Sequence, residues 1–292
     1  MAIKVAIPVL AAAGVGAAAI AGWSADAPSG NGKSSSAGLA GQAAPAMPQA
    51  YVGDPGNPAT WRLPIEAYMP TRAETRLISG ARDSLIDECM KGAGYEKWSP
   101  APDLPTLGGK TLTDWRYGIH DAEKAAERGY HPDAAEQKAY DEAQLVGAVD
   151  ISGADEGTLR GCVQAADGQV PAAQPNPLVQ KINGEVHKKA AKNPKVIAVF
   201  AKWSSCMKAK GYSYEKPMDA NDDPRFSDPY KVTELEIATA KADVACRDLH
   251  DVEKIWFDSE VPLQQQSIKE NQAPLDGVKA ENKSAVDKAS RL

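Results

Sequence analysis

Side chains able to do chemistry are few in this chain, and they are scattered. Four cysteines stand at Cys89, Cys162, Cys206 and Cys246, and no two have the Cys-x-x-Cys spacing that thiol redox or zinc chemistry favours. Of the four histidines, His120 and His131 flank a short polar stretch that also carries Asp121, Glu123 and Asp133. Such a set could serve as an acid–base pair or as metal ligands. The two histidines share a helical face only if the helix between them is unbroken, and Gly129 interrupts it. Asp219, Asp222, Asp223 and Asp228 form an acidic loop whose oxygens would suit Ca²⁺. Their order lacks the EF-hand spacing and its closing glutamate, so Asn-Asp-Asp-Pro reads first as a solvated turn. There is no Gly-x-Ser-x-Gly elbow, no His-Glu-x-x-His and no phosphate-cradling glycine loop. No catalytic residue, cofactor or metal ligand is assigned from these patterns.

The elements that must position these groups read as helices. Leu77, Ala81, Leu85 and Cys89 recur every fourth residue, with Ile78, Ile86 and Met90 beside them, until Gly92 and Gly94 stop the run. The text there is Cys89-Met90-Lys91-x-x-Gly94-Tyr95, and it returns as Cys206-Met207-Lys208-x-x-Gly211-Tyr212. Asn193-Pro194 opens the second helix, whose apolar face is Val196, Val199, Phe200, Trp203 and Met207. Two helix–stop–aromatic units look like an internal duplication. Each unit has one further cysteine downstream, Cys162 and Cys246. Four cysteines allow three connectivities, and the repeat favours Cys89–Cys162 and Cys206–Cys246, one staple per unit. Tyr95, Trp98, Tyr212 and Tyr214 follow the stops directly. They could line a groove for a sugar or peptide, although packing over the cap and the disulfide is the favoured reading.

Between the first cysteine pair, polar helices are expected from Asp121 to about Arg128 and from Ala134 to about Val146. In the last third, Leu235, Ala238, Ala242, Ala245, Leu249, Val252 and Trp256 alternate steps of three and four, a three-heptad a/d seam. This seam is expected to pack on the helix ending at Cys206 or, on the sharper reading, to dock a partner protein through Leu249 and Trp256. Pro262 and Pro274 should kink or restart the helix beyond it.

The chain of 292 residues carries a net charge of −6, which gives no global pull toward nucleic acid or anionic lipid. One early lysine followed by an apolar run to Trp23 has the pattern of a secretory leader or an N-terminal anchor. Contact with a membrane is expected only through that segment if it is not cleaved. Residues 24–60, rich in Gly, Ser, Ala and Pro, read as a disordered tether. A first helical unit over 61–167, a linker over 168–177 and a second unit over 178–292 complete the expected organisation. The fold class is therefore mainly α: two disulfide-stapled helical units plus a long C-terminal helix or helical hairpin. Paired cysteines behind a leader place the protein outside the cytoplasm.

An ordered set of motifs resembles an uncharacterised family of exported actinobacterial envelope proteins and lipoproteins. After the first Cys-Met-x-x-x-Gly-Tyr come Arg116-Tyr117-Gly118-Ile119-His120-Asp121, then Ala126 to His131, then Gly161-Cys162. Trp203 to Tyr214, Ala240 to Cys246 and a tryptophan-bearing C-terminal helix follow. No cysteine precedes Cys89, so the lipobox of many similar proteins is missing. The resemblance implies export and an envelope location and brings no activity. The resulting expectation is a secreted or envelope-associated, non-enzymatic binding or scaffold protein whose partner is another envelope protein. Two rival readings are a hydrolase of envelope polymers using His120, Asp121, Glu123 and His131, and a small-molecule or metal receptor using the acidic loop.

Overall fold

Apolar residues spaced by three and four along the chain form ten α-helices in the computed structural model, which describes residues 47–147 and 153–292. The leader and the tether up to residue 46 lie outside the described residues. The helices are α1 (Arg72–Gly92), α2 (Ala122–Arg128), α3 (Ala134–Gly147), α4 (Glu156–Gln169) and α5 (Pro177–Ala190). They continue as α6 (Pro194–Ala209), α7 (Pro217–Asn221), α8 (Glu234–His250), α9 (Val252–Glu270) and α10 (Gln272–Ala289). Among the described residues there is no β-strand, only one isolated bridge between Tyr51 and Arg62. The mainly α class with two disulfides is as expected.

Local chemistry explains most of the boundaries. Thr71 and Glu74 form a capping box at the start of α1, each side chain accepting from the other's backbone N–H. Asp121 caps α2 by accepting from Glu123 N and Lys124 N, and Asn193 caps α6 ahead of Pro194. The two Gly-Tyr stops are built alike. Tyr95 N donates to Met90 O and Tyr212 N to Met207 O, each at 2.9 Å, while Gly94 and Gly211 take φ of 94° and 92°. Both are Schellman caps, which need the positive φ that glycine tolerates.

The disulfides join Cys89 to Cys162 and Cys206 to Cys246, as the repeat suggests. The first ties α1 to α4, and the second ties α6 to α8. They serve different parts of the core. The largest apolar cluster is built around Val199, Trp203 and Met207 of α6 and Val252, Trp256 and Phe257 of α9, with α5 and Tyr117 packed against them. Two smaller clusters lie along α1: Ile86 and Met90 meet Cys162 and Ala166 of α4, and Ile78 meets Val170 and the end of α10.

The sequence reading is corrected in two places. The expected tether over 24–60 is ordered at its end: Met47, Ala50 and Val52 pack on the main core, in which Trp61, Leu63, Ile65 and Tyr68 are buried. Trp61 Nε1 donates to Asp54 O at 2.7 Å, which folds the Gly/Pro-rich stretch back over its own indole. Residues 47–292 form one compact unit, with Tyr117 and Tyr130 from the first half inside the core of the second, so 168–177 does not separate two bodies. Pro262 lies inside α9 without ending it, whereas Pro274 sits in the first turn of α10, after a break at Asn271.

Removing the two disulfides should have separable effects. The loops closed span 73 and 40 residues, for which chain entropy gives roughly 4 kcal/mol each as an upper figure. Hydrogen exchange of the Cys89→Ser/Cys162→Ser protein should show lost protection in α1 and α4 with α6 and α8 still protected. The Cys206→Ser/Cys246→Ser protein should lose protection throughout α5, α6, α8 and α9. Uniform loss in both proteins would show that α1 and α4 are not a separable layer.

Candidate functional site

Helix α8 buries a polar stripe together with Ala240, Ala242, Val244 and Cys246, and its exposed side carries two leucines among Glu234, Lys241 and Asp248. Glu236, Thr239, Asp243 and Arg247, spaced by three and four, are all fully buried. On the other side Leu235 is 46% exposed and Leu249 67% exposed, with Ala238 and Ala245 also open to solvent. Asp251 then takes a left-handed conformation (φ 53°) and ends the helix. This turn divides the predicted heptad seam. Val252 and Trp256 fall into the core, while Leu235 and Leu249 stay outside. A docking face that includes Trp256 is thereby corrected: its indole is 3% exposed and packs on Phe200, Tyr117 and His187.

The buried charges are held by the 114–131 segment. Arg247 Nε donates to Asp243 Oδ1 at 2.6 Å, and Trp203 Nε1 donates to the same oxygen at 2.8 Å. Tyr130 Oη donates to Asp243 Oδ2 at 3.1 Å. Arg247 Nη1 donates to the Tyr117 carbonyl and lies 3.4 Å from Glu253 Oε1. A Cβ on Gly118 would fall on the guanidinium, and its φ is 108°, so glycine is required where Arg247 meets this turn. Burial pushes the Asp243 and Glu253 carboxyls above their ordinary values, against the pull of Arg247.

A second cluster centres on Glu260 of α9, which is fully buried. Arg116 donates to both of its oxygens, Nε at 3.0 Å and Nη2 at 2.5 Å. Tyr117 Oη donates to Oε2 at 3.0 Å, His187 Nδ1 lies 3.2 Å from the same oxygen, and Gln264 Nε2 donates to Oε1 at 2.8 Å. Burial alone would raise this carboxyl, but His187 and Arg116 together hold it down at about 2.

The residues singled out for chemistry go to separate places. His120 Nε2 pairs with Asp114 Oδ1 at 2.8 Å, whereas His131 Nδ1 pairs with buried Glu236 at 2.6 Å. Asp121 is the cap of α2, and Glu123 is exposed. In the acidic loop, Asp219 accepts from Lys216 N, Asp223 pairs with Arg225 and accepts from Tyr214 Oη, and Asp228 accepts from Tyr230 N. Asp222 accepts from the Asn221 side chain. Among the described residues no group of three or more His, Cys, Asp or Glu is arranged to hold a metal ion. Tyr95 and Trp98 are half-buried against the Cys89–Cys162 cluster, and Tyr212 and Tyr214 against the main core near Cys206. Sequence reasoning missed Asp243, Arg247, Glu260 and Arg116. The polar stripe at 236, 239, 243 and 247 was the available signal, because its spacing matches the apolar stripe beside it.

Two open depressions mark the surface. The larger, about 780 Å³, runs between α6 and the end of α8, lined by Ala201, Lys202, Ser205, Cys206, Ala209, Lys210, Leu249 and His250. The smaller, about 320 Å³, lies between α3 and Pro229–Tyr230. Neither is lined by Glu260, His120 or His131. Among the described residues no helix is long and apolar enough to cross a membrane. Comparison with known proteins finds no matching family model, no matching curated protein and no matching solved structure.

The Glu260 cluster sets a pH dependence. Its carboxyl has an ordinary value of 4.5 and is held at about 2 in the fold, so its contribution is complete above pH 4.5 and is lost as pH falls toward 2. The contribution is at most about 3 kcal/mol. Asp243 and Glu253 shift the opposite way, so the difference between two proteins isolates the effect. Glu260→Gln should cost about 3 kcal/mol at pH 7, by leaving Arg116 without its carboxylate and with only the Asn183 carbonyl as acceptor. That gap should narrow between pH 4.5 and 2 in urea denaturation. A gap independent of pH would show that Glu260 is not ionised in the fold.

Proposed function

We propose that this chain is an exported, non-enzymatic binding or scaffold protein of the bacterial cell envelope. Its docking face on this reading is the exposed side of α8 with the groove beside α6. One observation carries it: α8 buries Glu236, Asp243 and Arg247 and leaves Leu235 and Leu249 open to solvent. A helix that presents apolar side chains while burying ion pairs has the surface of a docking element. The two disulfides are consistent with folding outside the cytoplasm, and the leader pattern points the same way. The repeated Schellman stops support reading the chain as a duplicated unit.

Photo-crosslinking from positions 235 and 249 in the native envelope tests this reading. One dominant protein should be captured from both positions. Leu249→Asp and Leu235→Asp should abolish capture while changing stability by no more than about 0.5 kcal/mol, as expected for exposed sites. Absence of any protein adduct, or turnover of wall polymer that is lost with His131→Ala, would overturn it.

A further inference from the structure

We infer that the occupant of the α6–α8 groove is an acidic amphipathic helix of a partner protein, an inference that rests on the binding role proposed above. The groove has the shape for a helix. Ala201, Ser205 and Ala209 recur every fourth residue along α6 and are exposed, so their small side chains form a shallow floor. Leu249 stands at its edge, 67% exposed, as a knob for an apolar stripe on the incoming helix. Small side chains at such spacing let a second backbone approach closely, as ridges fit grooves between packed helices.

Charge decides which helix. The chain as a whole is at −6, yet the groove is lined by Lys202, Lys210 and His250 and by no carboxylate. Among the described residues neither lysine makes a salt bridge within the chain. Lys202 on α6 and Lys210 at its C-cap stand about two turns apart, roughly 12 Å along the axis, close to the spacing of carboxylates at i and i+7 on a partner. A second copy of this chain fits less well. Matching Leu235 to Leu249 antiparallel would centre the pairing on Ala242, which is buried against the core and cannot meet its own copy.

The test uses two synthetic helical peptides of about 21 residues, long enough to hold helical structure. Both carry leucine at a and d; one has glutamate at the flanking positions and the other lysine. Fluorescence anisotropy with the full chain should show the glutamate peptide binding at least about tenfold tighter at low salt, with the margin shrinking as salt is added. Lys202→Glu/Lys210→Glu should invert the preference, and Leu249→Asp should weaken both peptides. These substitutions lie at exposed positions, so an unchanged melting temperature and two intact disulfides confirm the fold. Equal affinities, no binding by either peptide, or a preference that survives the charge reversal would overturn the inference. So would self-association abolished by Leu249→Asp, or displacement of the peptide by vesicles of anionic phospholipid. A protein crosslinked from position 249 without any acidic preference would leave the binding role standing and remove only this partner chemistry.

Discussion

A guanidinium buried without acceptors costs several kcal/mol, and much of this architecture follows from where Arg247 finds them. Asp243, one turn earlier on α8, takes Nε, Glu253 on α9 lies beside Nη1, and the Tyr117 carbonyl takes the same nitrogen from a third segment. Those three acceptors fix the angle between α8 and α9 and draw the 114–120 turn onto both. Gly118 is then the residue that fits under the guanidinium, and Trp203 and Tyr130 complete the carboxylate's shell from α6 and from the end of α2. Glu260 repeats the arrangement with the charges exchanged. There a buried carboxylate gathers Arg116, Tyr117, His187 and Gln264, and Tyr117 is common to both clusters, its carbonyl on Arg247 and its hydroxyl on Glu260. Breaking one member of such a set leaves its partner charged and unsolvated, so the network specifies a single packing of α5, α6, α8 and α9.

The same constraint accounts for the surface. Because Glu236, Thr239, Asp243 and Arg247 must face inward, Leu235, Ala238, Ala245 and Leu249 face solvent beside Glu234, Lys241 and Asp248. The acidic and imidazole groups that could have formed a reactive centre are held in structural pairs: Glu236 with His131, Asp114 with His120, Glu260 with His187 and Arg116. The groove over α6 and α8 is therefore shaped by small and apolar side chains, with lysines at its rim.

Local features of this fold were readable in the sequence. Both glycine stops, the helix starts near Asp121 and at Asn193-Pro194 and the pairing of the cysteines depend on residues close in the chain or on the repeat, and each is found as expected. Which face of α8 is buried was not readable, because the polar stripe at 236, 239, 243 and 247 and the apolar stripe share one spacing and only distant partners decide between them. Asp243 and Arg247 look like an ordinary surface pair at i and i+4 until Tyr117 and Trp203 come across. The break at Asp251 was hidden too: a left-handed aspartate leaves no mark on a three-four pattern, although it separates exposed Leu249 from buried Trp256. The packing of Trp61, Leu63 and Ile65 was masked by the Gly- and Pro-rich composition around them. Their burial depends on contacts with α5, α9 and α10, which no local pattern encodes.

Carbene footprinting of the folded protein, read residue by residue, tests most directly whether α8 buries its charges and exposes its leucines. The structure predicts strong labelling at Leu235 and Leu249 and protection at Trp203, Tyr117 and Trp256, with equal labelling of all five after denaturation in reductant. Protection of Leu235 and Leu249 in the isolated protein, together with labelling at Trp256, would contradict this arrangement and return the apolar seam to the core.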